Sequence, residues 1–238
     1  MRWRRRFDRR SGDSRLTWWM AVLFMVGASF FAVGSFPPYA QLVDPGAVGT
    51  TFFVGSIFFT LAAGAQLVQS ERDARTGSST GPVRWFGRGL DWWAAIVQFA
   101  GTVLFNISTY DALLDGLSTQ RTNRLVWAPD MLGSTAFLVA AWFGWVAVCR
   151  CAWDVLRDEV EWWIAAFNGA GAVVFMVSAV ASLTLPESGQ VLDLTLVNTG
   201  TFLGAVCFFV GAYLLLPPRS SASVLSATRT TPGRSRPG

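Results

Sequence analysis

The sequence predicts an all-α polytopic membrane protein, with six transmembrane helices arranged as three parallel-repeat hairpins in one bundle. Three observations carry that expectation. The chain has 238 residues, of which 52% are hydrophobic and only 14% charged, against about 25% charged in an ordinary soluble domain. Six apolar stretches of roughly 20 residues, the length that crosses a hydrocarbon core, are spread along it. One short motif recurs inside every one of them. Lipid leaves no partner for an open backbone, so such stretches must be helical.

The spans in order are Leu16–Phe36, Ala47–Val68, Trp92–Thr109, Met131–Ala152, Trp162–Leu185 and Leu196–Leu216. None has Asp, Glu or Arg in its central part, and Arg150 lies near one end. All ten Pro fall outside the spans, so they are expected to mark loop boundaries and to kink nothing. Residues 1–15 form a basic segment, 16–216 the six-helix domain, and 217–238 a Ser-, Thr- and Arg-rich tail expected to be disordered. An Arg-rich start before an apolar stretch is also how a signal peptide begins. This stretch exceeds the usual h-region of about 7–15 residues and no small-x-small site follows it. It is expected to stay as the first span. Residues 70–90, with Thr76-Gly77-Ser78-Ser79-Thr80-Gly81-Pro82, read as a flexible connector.

Arg placement sets the expected orientation. With both termini in the cytoplasm, 17 of the 19 Arg lie on the cytoplasmic side and only Arg121 and Arg124 outside, as the positive-inside rule requires. The formal charge of +4 is therefore a topology signal, and no nucleic-acid partner is expected. The expected partner is the lipid bilayer. The N-terminal run from Arg4 to Arg10 is expected to touch anionic lipid, at about 1 kcal/mol per basic residue.

Composition also excludes chemistry. Every basic residue is Arg, with no Lys and no His. That removes His–metal sites, Ser-His-Asp and Cys-His catalysis, Schiff bases and P-loops. Cys149, Cys151 and Cys207 are too few for a structural zinc site, which takes four ligands. The carboxylates between Tyr110 and Asp130 are scattered as in a solvated loop. No cofactor and no enzymatic activity are expected.

The recurring motif reads Gly, small, x, x, Phe, x, x, small, small. Its Gly and Phe are Gly27 and Phe31, Gly55 and Phe59, Gly101 and Phe105, Gly133 and Phe137, Gly171 and Phe175, Gly204 and Phe208. At 100° per residue its positions fall within about 120° of one helix face. A stripe of small residues lets helices approach closely in lipid, where packing drives association. The odd helices also open alike, on Trp18-Trp19, Trp92-Trp93 and Trp162-Trp163, each pair eight residues before its motif Gly. These pairs are expected to anchor at the cytoplasmic interface. Thr17 and Asp91 are expected N-caps, and Glu161 a favourable charge at a helix start. The repeating unit is a two-helix hairpin, which keeps its orientation when duplicated. The repeats are therefore parallel, about an axis along the membrane normal.

The stretch Phe52-Phe53-Val54-Gly55-Ser56-Ile57-Phe58-Phe59 resembles the Gly-Ser helix core of YrhK-like domains, small bacterial membrane domains of unknown function. Trp127–Leu138, Trp162–Ser182 and Asn198–Leu216 resemble uncharacterised actinobacterial integral membrane proteins that carry such domains. The likeness covers most of residues 16–217 and rests on apolar motifs. It implies a bacterial inner-membrane protein and supplies no activity.

Only amides offer polar chemistry at depth. Gln98 and Asn168 are equivalent, each five residues after its Trp pair, and Asn106 lies deeper, beside Thr102 and Thr109. Interhelical hydrogen bonds are their expected role, averaging about 0.6 kcal/mol. The alternative is a polar pocket for a small neutral or zwitterionic solute. The function expected is thus a non-enzymatic structural or assembly component, with a transporter or channel as the other reading. Self-association or a membrane partner through an outward-facing small stripe is compatible with both.

Overall fold

A computed structural model describes residues 14–76, 84–149 and 159–216. The Arg4–Arg10 run, the tail from Pro217, and Cys151 lie outside them. The elements are α1 (Ser14–Gly34), α2 (Pro37–Leu42), α3 (Pro45–Arg75), β1 (Arg84–Trp85), β2 (Arg88–Gly89), α4 (Leu90–Asp111), α5 (Thr119–Thr122), a π-helical turn (Asn123–Trp127), α6 (Ala128–Val148), α7 (Val160–Ala181) and α8 (Leu194–Leu215). Six of the described helical segments are long and apolar enough to cross a membrane.

Local chemistry explains where several boundaries depart from expectation. α3 continues about two turns past Val68 because its polar extension supports a helix; Arg75 and Glu71 pair across one turn at 2.9 Å. The connector expected over 70–90 is partly regular. β1 and β2 pair antiparallel through a Phe86-Gly87 tip, whose φ values of +48° and +76° match the tight turn that follows strand twist. Pro129 lies near the start of α6, inside a helical run from Thr119 to Val148, so it is no loop marker. Proline offers no N–H to a carbonyl four residues back. Just before it the ladder widens, and the Ala128 N–H bonds Asn123 O, five residues back. The expected N-caps also shift. Asp91 sits in the first turn of α4, behind an uncapping Gly89. Thr17 lies inside α1, where its hydroxyl contacts Gln69 of α3.

The six long helices form a closed ring in the order α1, α3, α4, α6, α7, α8 and back to α1. The motif face turns inward in all of them. The residues after the motif Gly, namely Ala28, Ser56, Thr102, Ser134, Ala172 and Ala205, are each 0% exposed. Outward faces carry Ile57, Leu61, Val103, Ile107 and Val173, all exposed, as suits lipid contact.

Within each hairpin the motif works reciprocally. The ring of each motif Phe lies over the motif Gly of its partner helix. A methyl added at Gly27 would stand 2.9 Å from Phe59, and one at Gly55 2.9 Å from Phe31. The α4–α6 pair repeats this, with 2.8 Å from Gly101 to Phe137 and 3.0 Å from Gly133 to Phe105. In α7–α8, a methyl at Gly171 would stand 3.3 Å from Phe208, and one at Gly204 would collide with Phe175. Each ring thus occupies the space that the facing helix leaves by lacking a side chain.

Candidate functional site

The bundle axis is the first place a path or pocket would lie. Six phenylalanines fill it. Phe31 of α1, Phe105 of α4 and Phe175 of α7 form a triangle with ring centroids 5.9, 6.1 and 6.4 Å apart. Phe208 touches Phe59 at 6.1 Å and Phe137 at 5.9 Å. Within hairpins the ring pairs stand 5.4, 5.0 and 5.4 Å apart. Most are edge-to-face, the arrangement that ring quadrupoles favour.

The void left among them measures about 10 Å³ and is lined by five of these rings with Ser56 and Thr102. That is at the lower limit for a single water. The hydroxyls beside it are satisfied locally. Ser56 donates to Phe53 O at 2.7 Å and shares a hydrogen bond with Thr109 at 2.9 Å; Thr102 donates to Phe99 O at 2.7 Å. Three buried polar atoms elsewhere have no hydrogen-bond partner among the described residues: Asn106 Oδ1, Ser134 Oγ and Trp162 Nε1.

The three amides do not converge. Asn106 donates to Thr60 Oγ1 at 2.8 Å between α4 and α3. Asn168 of α7 lies against Gly211 of α8, where an added methyl would stand 2.8 Å from its Oδ1. Gln98 is half-buried. None of them lines the axial void or the larger groove described below. Asn106 and Asn168 act at separate helix contacts. Ser178 is another such link, sharing a hydrogen bond with Thr201 at 2.8 Å and donating to Val197 O at 2.9 Å.

The three Trp pairs lie at one end of the bundle. Thr17 at the start of α1 contacts Gln69 near the end of α3, the end of α3 meets Trp92 at the start of α4, and Trp145 of α6 meets Trp162 of α7 at 5.6 Å. Each pair is edge-to-face, at 4.9 Å for Trp18-Trp19 and Trp162-Trp163 and 5.0 Å for Trp92-Trp93. Trp18, Trp19 and Trp163 are exposed, and Trp92, Trp93 and Trp162 half-buried.

A polar knot joins α3 to α4 at this end. Glu71 accepts from Arg75 Nε at 2.9 Å, from Arg88 Nη1, and from the Trp92 indole N–H at 2.8 Å. The Arg88 guanidinium lies 5.0 Å from the centre of the Trp92 ring, a cation–π contact. Beside the knot is a groove of about 430 Å³, walled by Leu67, Val68, Glu71, Arg72, Arg75, Trp92 and Ile96.

At the opposite end, a clasp ties the start of α6 to the end of α7. Asn123 donates through Nδ2 to Thr184 O at 2.7 Å and accepts from Thr184 N at 2.9 Å. Trp127 Nε1 donates to Ala179 O at 2.9 Å. Both the knot and the clasp escape sequence reasoning. The Glu71–Arg75 spacing could have pointed to the knot. Nothing in the periodicity marks Asn123, whose partner lies 61 residues away.

Among the described residues, no three His, Cys, Asp or Glu side chains stand close enough to hold a metal ion. The chain matches no family model, and neither a curated protein nor a solved structure is significantly similar to it.

Proposed function

We propose that this chain is a non-enzymatic structural or assembly component of a bacterial inner membrane, with both termini in the cytoplasm. One observation carries the reading: the bundle axis is filled by six interlocking phenylalanine rings, with a void of only about 10 Å³. A solute path needs either a cavity or groups that can open one, and intramembrane ionisable residues are the usual mark of such paths. The central parts of these spans contain none. Of the amides that would serve a neutral solute, Asn106 and Asn168 lie at separate helix contacts, and Gln98 lines neither the axial void nor the α3–α4 groove.

The same reading treats the protein as three copies of one hairpin unit, related about the membrane normal. The reciprocal Gly–Phe seating in all three hairpins supports it. The likeness to YrhK-like membrane domains is in keeping with such a role, which needs no reaction.

The test is solute uptake into proteoliposomes containing the full chain, using neutral and zwitterionic solutes. Uptake at the rate of protein-free vesicles is expected. A flux above that level which disappears on Asn168→Leu or Asn106→Leu would replace this reading with transport.

A further inference from the structure

The β1–β2 hairpin turns on two residues, Phe86 and Gly87. Both have positive φ, +48° and +76°. Such turns ordinarily take Asn or Asp before the Gly, because a bulky side chain with positive φ crowds its own backbone. Phe86 is therefore an unfavourable choice for the local geometry. It is also 93% exposed, so packing against the rest of the chain does little to offset that cost. A strained residue persists where its surroundings hold it. Here the strain has one structural result, an aromatic ring at the tip of the hairpin.

The bundle sets where that tip stands. Arg88, the first residue of β2, donates to Glu71 of α3, and its guanidinium lies against the Trp92 ring of α4. Gly89 and Leu90, which follow, are buried. The returning strand is thus fixed to two long helices just before α4 begins.

The neighbour of the ring gives its direction. Phe86 meets Trp93 edge-on, with ring centroids 6.3 Å apart. Trp93 lies on the outer side of α4. At 100° per residue it falls within about 20° of Ala100 and about 40° of Ile107, both exposed. The inward face carries Ala94, Gly101, Thr102 and Phe105, all buried. Trp92, one step round the helix, turns to α3 instead. Phe86 therefore stands outside the bundle, beside the face of α4 that meets acyl chains. Its depth is that of a Trp at the membrane–water boundary.

We propose that the β1–β2 hairpin is a shallow membrane-inserted element, with Phe86 seated beside Trp93 at the headgroup–acyl boundary of the leaflet where α4 begins. The bilayer is the occupant because the ring continues the lipid-facing side of α4. A Phe ring gains by leaving water, which the usual Asn of such a turn would not. Insertion stays shallow, since the polar backbone of the tip needs partners that the hydrocarbon core lacks. The inference rests on the six helices crossing a bilayer and on neither the orientation nor the role proposed above, so a positive uptake assay would leave it intact.

Spin-label accessibility in nanodiscs of phosphatidylcholine and phosphatidylglycerol tests it. The full chain carries Cys149→Ala, Cys151→Ala and Cys207→Ala, with a single nitroxide at Phe86→Cys, Val103→Cys or Glu187→Cys. Oxygen concentrates in the bilayer and a nickel chelate in water. The label at position 86 should favour oxygen, as at 103 on the exposed face of α4, and the label at exposed position 187 should favour nickel. Oxygen at 103 with nickel at 86 would leave the helices embedded and overturn this proposal alone. Nickel at 103 as well would overturn the membrane reading with it. Because a nitroxide is itself apolar, amide exchange of residues 85–88 in unlabelled protein gives a second measurement in the same nanodiscs. Phe86→Ser should speed that exchange about tenfold, near the lower end of what burying a Phe is worth. Phe86→Leu keeps an apolar tip but loses the ring contact with Trp93, and should exchange close to wild type. Equal acceleration in both variants would assign the effect to the ring contact alone and overturn the proposal, as would no acceleration in Phe86→Ser.

Discussion

Gly204→Ala tests the reciprocal seating of rings and glycines most directly. A methyl at this position would collide with the Phe175 ring and stand 3.2 Å from Gly171 O. The ring has little room to retreat. It is 5% exposed and contacts Phe31, Phe105 and Phe208 at 5.9, 6.1 and 5.4 Å. Helices α7 and α8 must therefore move apart, or Phe175 must leave its rotamer. Overpacking of this kind costs about 1–3 kcal/mol. Ala also gains intrinsic helix propensity over Gly, about 0.8–1 kcal/mol in water, so the single variant mixes two effects. Gly144→Ala separates them. It lies inside α6, and an added methyl there meets nothing within 4 Å. Taking propensity as equal at the two sites, the difference between the variants isolates the collision and should be about 1–3 kcal/mol. Equilibrium unfolding in mixed micelles, followed by Trp fluorescence, reads it. Phe175→Leu should recover part of the loss in the Gly204→Ala background but not in the Gly144→Ala background, since only contacting residues couple. Equal stability of the two alanine variants would refute the seating argument.

Two further outcomes follow from other parts of the molecule. Asn123→Ala removes both hydrogen bonds to Thr184, which should cost about 1–3 kcal/mol because the Thr184 backbone groups lose their partner. Faster amide exchange in residues 182–193, with the rest of the bundle unchanged, would localise the effect to the clasp. The orientation proposed from Arg placement predicts that a reporter fused to the C-terminus is active only in the cytoplasm, whereas activity outside would reverse the topology.

The sequence made the helices legible because their signals are local. Hydropathy over about 20 residues needs no knowledge of a partner, and the motif face follows from the helical period alone. Ala28, Ser56, Thr102 and their equivalents are buried as that period implies. The extents were harder. α3 overran its apolar part because the continuation to Arg75 rests on side-chain pairing, not hydropathy. Pro129 misled because a π-helical turn can absorb a missing donor. The partners of the amides were not legible, because they depend on the facing helix: Asn106 meets Thr60, and Asn168 meets Gly211. The Glu71 knot and the Asn123 clasp arise from tertiary proximity, which no single-sequence period encodes.

The closed order of the helices has a consequence for how the chain is made. Each hairpin joins helices that are near in sequence, so its rings and glycines can engage soon after both spans emerge. The α1–α8 contact is different. It joins the first span to the last, with Phe36 beside Phe202 at 6.2 Å. Until the ribosome has delivered the final helix, one flank of α1 has only lipid for a neighbour. The bundle thus assembles locally and is sealed late, and the insertion machinery must hold or tolerate an open arc for most of the time that synthesis takes.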